Sequence, residues 1–205
     1  MGEMMTADSS DSEWSTSEER IMEATHRALL RDGYAQLSIS RIASELDQSK
    51  ASLYYHYDSK EDLLLSFLEY VTDRLESNIY TSNDESPSQE LEQFIEMLLP
   101  LQLDDTESQL RAAMVELRSQ AVMDEKFRKQ FTEIDDRIVD HLERIIDRGI
   151  DEGEFRNVDS TRVAEHIFAT FSGVMYNRAT TNRENAPAAV RVALSSYLNK
   201  DLMKR

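Results

Sequence analysis

A chain of 205 residues, 40% of them apolar, with 40 acidic against 23 basic side chains and a net charge of −17, can bury a substantial core in one large domain or in one small and one larger domain. Zero cysteines exclude disulfides, zinc fingers and thiol catalysis. No apolar run approaches the ~18 residues of a membrane span and no secretory pattern opens the chain, so a cytoplasmic protein is expected. Only five Gly and three Pro, with long segments of 3.6-residue periodicity, predict an all-α fold.

In chain order, residues 1–16 are polar, acidic and aperiodic, the composition of a disordered tail, with Trp14 placed to pack back on the first helix. That helix is predicted from about Ser17 to Asp32, with Ile21, Ala24, Ala28 and Leu29 on one face, stopping at Gly33. A second opens at Ser38 as N-cap and buries Ile39, Ile42, Ala43 and Leu46. After a turn at Asp47-Gln48 comes a third helix of about two turns, starting at Ser49. Its Leu53 and Tyr57 face the core, leaving Lys50, Ser52, Tyr54, Tyr55 and His56 for another surface. A fourth opens with Ser59 as N-cap and Asp62 as a near capping box. It runs to about Tyr80, burying Leu64, Phe67, Leu68, Val71 and Leu75. Five further helices are predicted over about 88–103, 107–122, 124–152, 159–180 and 187–203. Pro100 should end the first of these near Leu99, Asp159 caps the fourth after the turn Gly153-Glu154-Phe155-Arg156, and Pro187 opens the last.

A short helix that spends half its residues on hydroxyls, a lysine and a histidine needs a partner rich in hydrogen-bond acceptors. The phosphates and base edges of DNA are such a partner. Ile42-Ala43, Ser49-Lys50, Leu53-Tyr54-Tyr55-His56-Tyr57 and Ser59-Lys60-Glu61-Asp62-Leu63 resemble the helix-turn-helix of the tetracycline-repressor (TetR/AcrR) family of transcriptional regulators. The likeness covers about residues 17–65, and helix pattern, turn position and cap residues agree together. Three positions depart from the family pattern: Asp47 replaces a turn glycine, Gln48 a buried valine and Ala51 a glycine of the recognition helix. Gln48 either points toward DNA or takes a buried hydrogen-bond partner. The resemblance implies a three-helix DNA-binding domain over 17–65, with its motif at 38–57, and a helical ligand-binding and dimerisation domain over 66–205. Residue by residue, it places Ser38, Ser49, Lys50, Tyr55, His56 and Lys60 at phosphates. Ala51, Ser52 and Tyr54 fall nearest base edges, with Gln48 as an addition.

Met and aromatic positions in the second part are read first as core. An adaptable apolar cavity uses the same residue types, and the resemblance picks out Met97, Met114, Leu117, Phe127, Phe131 and Phe168 as its lining, for a small apolar effector. Ile167, Phe171, Val174 and Met175 recur at helical spacing around Gly173, as do Val190, Leu194, Tyr197 and Leu198. Two such stripes per subunit would form an intermolecular four-helix bundle. His141 and His166 have no chelating neighbour at helical spacing and are expected at a surface or interface, so neither a metal nor a cofactor is predicted. No nucleophile–base pair, metal set or phosphate loop points to an enzyme.

The resulting expectation is a homodimeric regulator, a repressor released from palindromic double-stranded operator DNA by an effector. The alternative is a helical protein-interaction module that no longer binds DNA. It stays open because residues 17–62 hold six bases against nine acids. Seventeen Arg to six Lys beside the acid excess resembles the proteomes of extreme halophiles; an ordinary acidic regulator is the other reading.

Overall fold

The computed structural model describes residues 14–46, 50–79 and 85–204, with side chains for all of these except 50 and 75–79. The predicted tail up to residue 13, the Asp47-Gln48 turn, Ser49 and the Leu75 side chain lie outside the described residues. Among the described residues nine α-helices follow one another and no strand forms: α1 Thr16–Gln36, α2 Ile39–Glu45, α3 Lys50–His56, α4 Lys60–Ile79, α5 Pro87–Leu98, α6 Asp105–Gln120, α7 Glu125–Asp151, α8 Ser160–Thr180 and α9 Ala186–Tyr197. A π-helical turn, Leu198–Leu202, ends the chain's helical part.

Local chemistry accounts for the helix ends. Ser15 and Glu18 form a reciprocal capping box that starts α1. Gly33, at φ 67° and ψ 169°, breaks the helix as predicted, yet one more turn follows to Gln36; only glycine adopts that backbone at little cost. Ser59 caps α4 by accepting from the Asp62 amide at 3.0 Å, while the Asp62 carboxylate accepts from Asp58 N at 3.3 Å. Asp159 caps α8 through the Arg162 amide at 3.0 Å.

Pro100 leaves the last carbonyls of α5 without helical donors. Three arginines from distant parts of the chain donate to these carbonyls and to those just beyond them. Arg111 donates to Leu98 O at 3.1 Å and Met97 O at 3.3 Å, Arg191 to Leu99 O at 3.4 Å, and Arg178 to Pro100 O and, at 3.2 Å, to Leu101 O.

The buried side chains form two clusters. The first joins α1–α4, through Ile21, Leu29, Ile42, Leu53 and Phe67, to Ala113 and Leu117 of α6 and to Phe127 and Phe131 of α7. The second joins α5, α7, α8, α9 and the C-terminal turn, through Leu91, Leu142, Ile146, Phe155 and Ile167. Ile134 packs against both, so α7, roughly 40 Å long at 1.5 Å per residue, is their common spine. The core of the N-terminal helices is thus closed by α6 and α7. At the far end of α7, the buried Phe155 ring lies against Gly149, where a Cβ would fall 2.2 Å from a ring carbon. Arg156 N then donates to Leu202 O at 2.8 Å and Lys204 N to Glu154 O at 2.9 Å, fastening this turn to the C terminus.

His141 corrects an expectation. It is not at a surface but 6% exposed, with its ring 4.7 Å from that of Phe94 and its Nε2 3.8 Å from a Glu90 carboxylate oxygen. His166 is exposed, its ring 4.8 Å from that of Tyr197. Burial, reinforced by the charge of Arg144, pushes the His141 imidazole down to about 4. Its folded pKa therefore lies below its unfolded value of ~6.5. The unfolded chain binds more protons in that interval, so this contribution to stability is complete above pH ~6.5 and is lost as pH falls toward 4. His141→Gln should flatten the pH dependence of unfolding between pH 6.5 and 4, a term on the order of 3 kcal/mol. Denaturant titrations of both proteins across that window check it. Equal slopes would mean that His141 does not stay neutral in the fold.

Candidate nucleic-acid interface

The seven residues of α3 divide by face. Leu53 is fully buried and Tyr57, just beyond the helix, is 7% exposed; both anchor it on the first core, as their spacing predicts. Ala51 and His56 are exposed, Tyr54 is 50% exposed and Tyr55 is 87% exposed. Ser52 is half-buried. The Tyr55 and His56 rings meet edge to face at 5.4 Å, which presents a phenol and an imidazole side by side. Large aromatic rings are not left in water by the fold's own needs, and their polar tips can donate to phosphate oxygens or reach base edges.

Two residues expected at phosphates serve the fold. Ser38 caps α2, accepting from Arg41 N at 3.4 Å, and keeps its hydroxyl proton to donate. The Lys60 ammonium donates to Tyr34 O at 2.9 Å and lies 4.1 Å from the centre of the Tyr34 ring, and burial lowers its pKa. Tyr34 N in turn donates to Glu116 of α6 at 2.8 Å. Lys60 thereby ties the start of α4 to the end of α1, and through Glu116 to α6. Gln48, Ser49 and the Lys50 side chain lie outside the described residues.

A charge network that local spacing does not reveal joins α1 to α2. Arg31 pairs with Asp32 at 2.8 Å and with Glu45, Arg27 with Glu45 at 3.6 Å, and Arg41 with Asp32 at 2.7 Å. The Arg31 partnership, ahead of the charge of Arg41, holds the Asp32 carboxyl below its usual range. Arg27 and Arg31 share a helix face, but Glu45 lies 14 residues beyond Arg31. Arg27, Arg31 and Arg41 are therefore matched internally, and the described surface of α3 offers hydroxyl and imidazole groups.

Of the six side chains expected around an effector, four come together, but as packed core. Leu117, Phe127 and Phe131 fill the first core with Met114 beside them, Phe168 packs on the second, and Met97 is 38% exposed. None of the six lines the cavities that α8 forms with α6 and with α9, or the one between α5 and the C-terminal turn. Of the eight residues expected at a dimer interface, Ile167, Phe171, Val174, Leu194 and Leu198 are buried in the chain's own second core. Met175, Val190 and Tyr197 are partly buried against it. Among the described residues no helix is long and apolar enough to cross a membrane.

Comparison with known proteins agrees with this geometry. Residues 21–67 match the family model for bacterial regulatory proteins of the tetR family, and residues 87–202 match the C-terminal model of BetI-type transcriptional repressors. A TetR transcription regulator from Haloarcula marismortui superposes with a TM-score of 0.83 at 34% identity, over 93% of this chain and 100% of that one. A transcriptional regulator from Saccharomonospora viridis, solved in complex with choline, superposes with a TM-score of 0.78 at 24% identity, over 94% and 100% of the two chains. The uncharacterized HTH-type regulator YerO of Bacillus subtilis is 46% identical over 52 residues, which span 25% of this chain and 18% of that protein's length. Two family models covering both cores, and a 34%-identical solved relative matched along its whole length, place this chain in the tetR family of bacterial transcription regulators, with its DNA-binding domain at the N terminus.

Proposed function

We propose that this regulator acts as a homodimeric repressor, holding palindromic operator DNA through α3 and its flanks and releasing it when a small molecule binds the C-terminal helices. The observation that carries the reading is the outward face of α3. Tyr54, Tyr55 and His56 stand in water on a helix whose opposite face, Leu53 with Tyr57, is locked into the core. Tyr55 and His56 contact phosphates; Ala51, Ser52 and Tyr54 lie nearest base edges. Ser38, Gln48, Ser49 and Lys50 complete the set, and Lys60 acts by holding the start of α4 in place.

For the dimer, the open faces of the last two helices are the better candidates. On α8, Ala169, Gly173 and Tyr176 are exposed, and on α9, Ala189, Val192 and Ala193 are exposed. A Cβ added at Gly173 would meet nothing within 4 Å in its own chain, so a partner helix can approach closely there. The eight residues named from the sequence lie on or next to the reverse of these faces, with Met175, Val190 and Tyr197 at the rim. In the release step, α6 carries Glu116 against the end of α1, so a displacement of α6 is felt by the DNA-binding head. Release needs a ligand that binds the displaced state better than the operator-bound one.

Binding to genomic fragments in molar KCl tests the reading. Tyr55→Ala should weaken binding to operator and random DNA alike, because phosphate contacts carry little sequence information. Tyr54→Ala should relax specificity at particular base pairs by about 1–3 kcal/mol. A wild-type protein that retains no fragment at any salt concentration would leave the protein-interaction module as the function.

A second proposal concerns salt. The excess of 40 acids over 23 bases, with arginine preferred to lysine, suits a protein that works in concentrated salt, where self-repulsion is screened to within ~3 Å. The Haloarcula relative supports that reading.

A further inference from the structure

Three arginines that meet no carboxylate of the described residues line one cleft, in a chain with 40 acids to 23 bases. The cleft measures about 630 Å³ and opens between the α5–α6 connection, the first turns of α6, the end of α8 and the α8–α9 connection. Four other arginines of the C-terminal helices take acidic partners, Arg118 with Asp135 at 2.5 Å, Arg137 with Asp73 at 3.2 Å, Arg148 with Glu90, and Arg191 with Glu96, while Arg128 and Arg156 each donate alone to carbonyls away from any such cleft. Arg111 instead donates to neutral carbonyls at the end of α5, and Arg178 to those of Pro100 and Leu101 just beyond it. Those bonds fix the guanidinium groups in position without cancelling their charge. The Arg183 side chain makes no hydrogen bond or ion pair among the described residues.

The electrostatic cost is visible. Burial lowers the Arg111 pKa, and the neighbouring positive charge of Arg178 lowers it further, against the opposing pull of Glu107. The Glu107 carboxylate is itself held by the Asp104 amide at 3.0 Å. Burial lowers the Arg178 pKa as well. Glu184 is the one acid in the lining, so three positive charges face one negative. Like charges held together, two of them partly buried, are unfavourable unless an anion joins them. Leu103 and Pro187 add apolar wall beside the charges, and the volume suits a small organic molecule. A guanidinium fork matches the planar geometry of a carboxylate.

We propose that this cleft binds a small organic carboxylate, with its charge at Arg111, Arg178 and Arg183 and its apolar body against Leu103 and Pro187, and that this anion is the effector. The inference rests on the regulator reading only for its last clause. It replaces the apolar ligand expected from the Met and aromatic positions with an amphipathic anion, and it moves the site from the core to the α6–α8 side. Arg111 stands on the same helix as Glu116, so the bound anion pulls on the element that touches the head.

Calorimetric titration of the full-length protein with octanoate, benzoate, inorganic phosphate and choline, at matched total KCl, tests it. Octanoate and benzoate should saturate one site per chain, and phosphate and choline should not. Arg183→Ala and Ser108→Glu, both at exposed positions, should each weaken carboxylate binding at least ~10-fold with the unliganded unfolding transition unchanged. Choline binding without carboxylate binding, phosphate binding as tight as octanoate, or no response to either substitution would each overturn the site. Operator binding in the same preparations separates the two readings. Intact DNA binding without carboxylate binding sinks only the cleft. Carboxylate binding that leaves operator affinity unchanged sinks its role as effector. Saturable, cleft-dependent carboxylate binding by a protein that holds no DNA sinks the regulator and leaves the site standing.

Discussion

Gly173→Glu and Val192→Glu are each expected to give folded monomers that lose palindromic operator binding by at least ~100-fold. Both positions are exposed in the single chain, and Val192 leaves 68% of its surface in water, so a carboxylate there costs the isolated fold little. Once two copies meet through α8 and α9, the same carboxylate is desolvated without a counter-charge, at a cost on the order of several kcal/mol. Operator affinity falls with the dimer because two heads on one duplex gain a joint effective concentration worth roughly 10²–10⁴ in binding, and half-sites are read about one helical turn or a multiple apart. Phe171→Glu and Leu194→Glu, at 9% and 3% exposure, should behave differently. They place the charge in the chain's own core and should unfold it. Light scattering, circular dichroism and operator titration on all four variants decide the matter. Dimers with full operator affinity from both exposed-face variants would move the interface elsewhere, with the exposed side of α7 next in line.

Raising KCl from dilute buffer to molar concentration is expected to tighten the fold and to leave DNA affinity flat or rising. Most DNA-binding proteins lose affinity as salt rises, because cations released from the duplex enter a saltier solution. Here Arg27, Arg31 and Arg41 are already matched by Asp32 and Glu45, and Lys60 is engaged with Tyr34. These four cations have less charge to offer for displacing counterions, and carboxylates brought near phosphates need cations held between them. Uptake then offsets release. The net charge of −17 should also loosen the molecule below roughly 0.5 M salt, as screening lengthens toward ~10 Å at 0.1 M. Titration of operator affinity and of the unfolding midpoint against KCl measures both. A steep negative slope from a protein fully folded in dilute buffer would leave an ordinary acidic regulator.

The sequence by itself determined the helices and where they stop, because those signals act within a few residues. Ser38, Ser59 and Asp159 cap, Gly33 breaks, Pro100 terminates, and the spacing of Leu53 and Tyr57 sets which side of α3 is left outside. It also determined the family, since the residues that build the head are contiguous. Only the tertiary structure decided what meets what. Periodicity marked Phe171 and Leu194 as buried, but a hydrophobic stripe says nothing about whether its cover is the same chain or another copy; here it is the same chain. Lys60, expected at a phosphate, also donates a hydrogen bond to the carbonyl of Tyr34, 26 residues away, a partner that spacing does not reveal. His141 read as a surface or interface residue because the groups packed against it in the chain's own fold, Phe94 and Glu90, come from another helix. Arg111, Arg178 and Arg183 carry no motif, being scattered over 73 residues of chain. Charge and burial depend on distance in space, and the packing of α6 against α8 is what sets those distances.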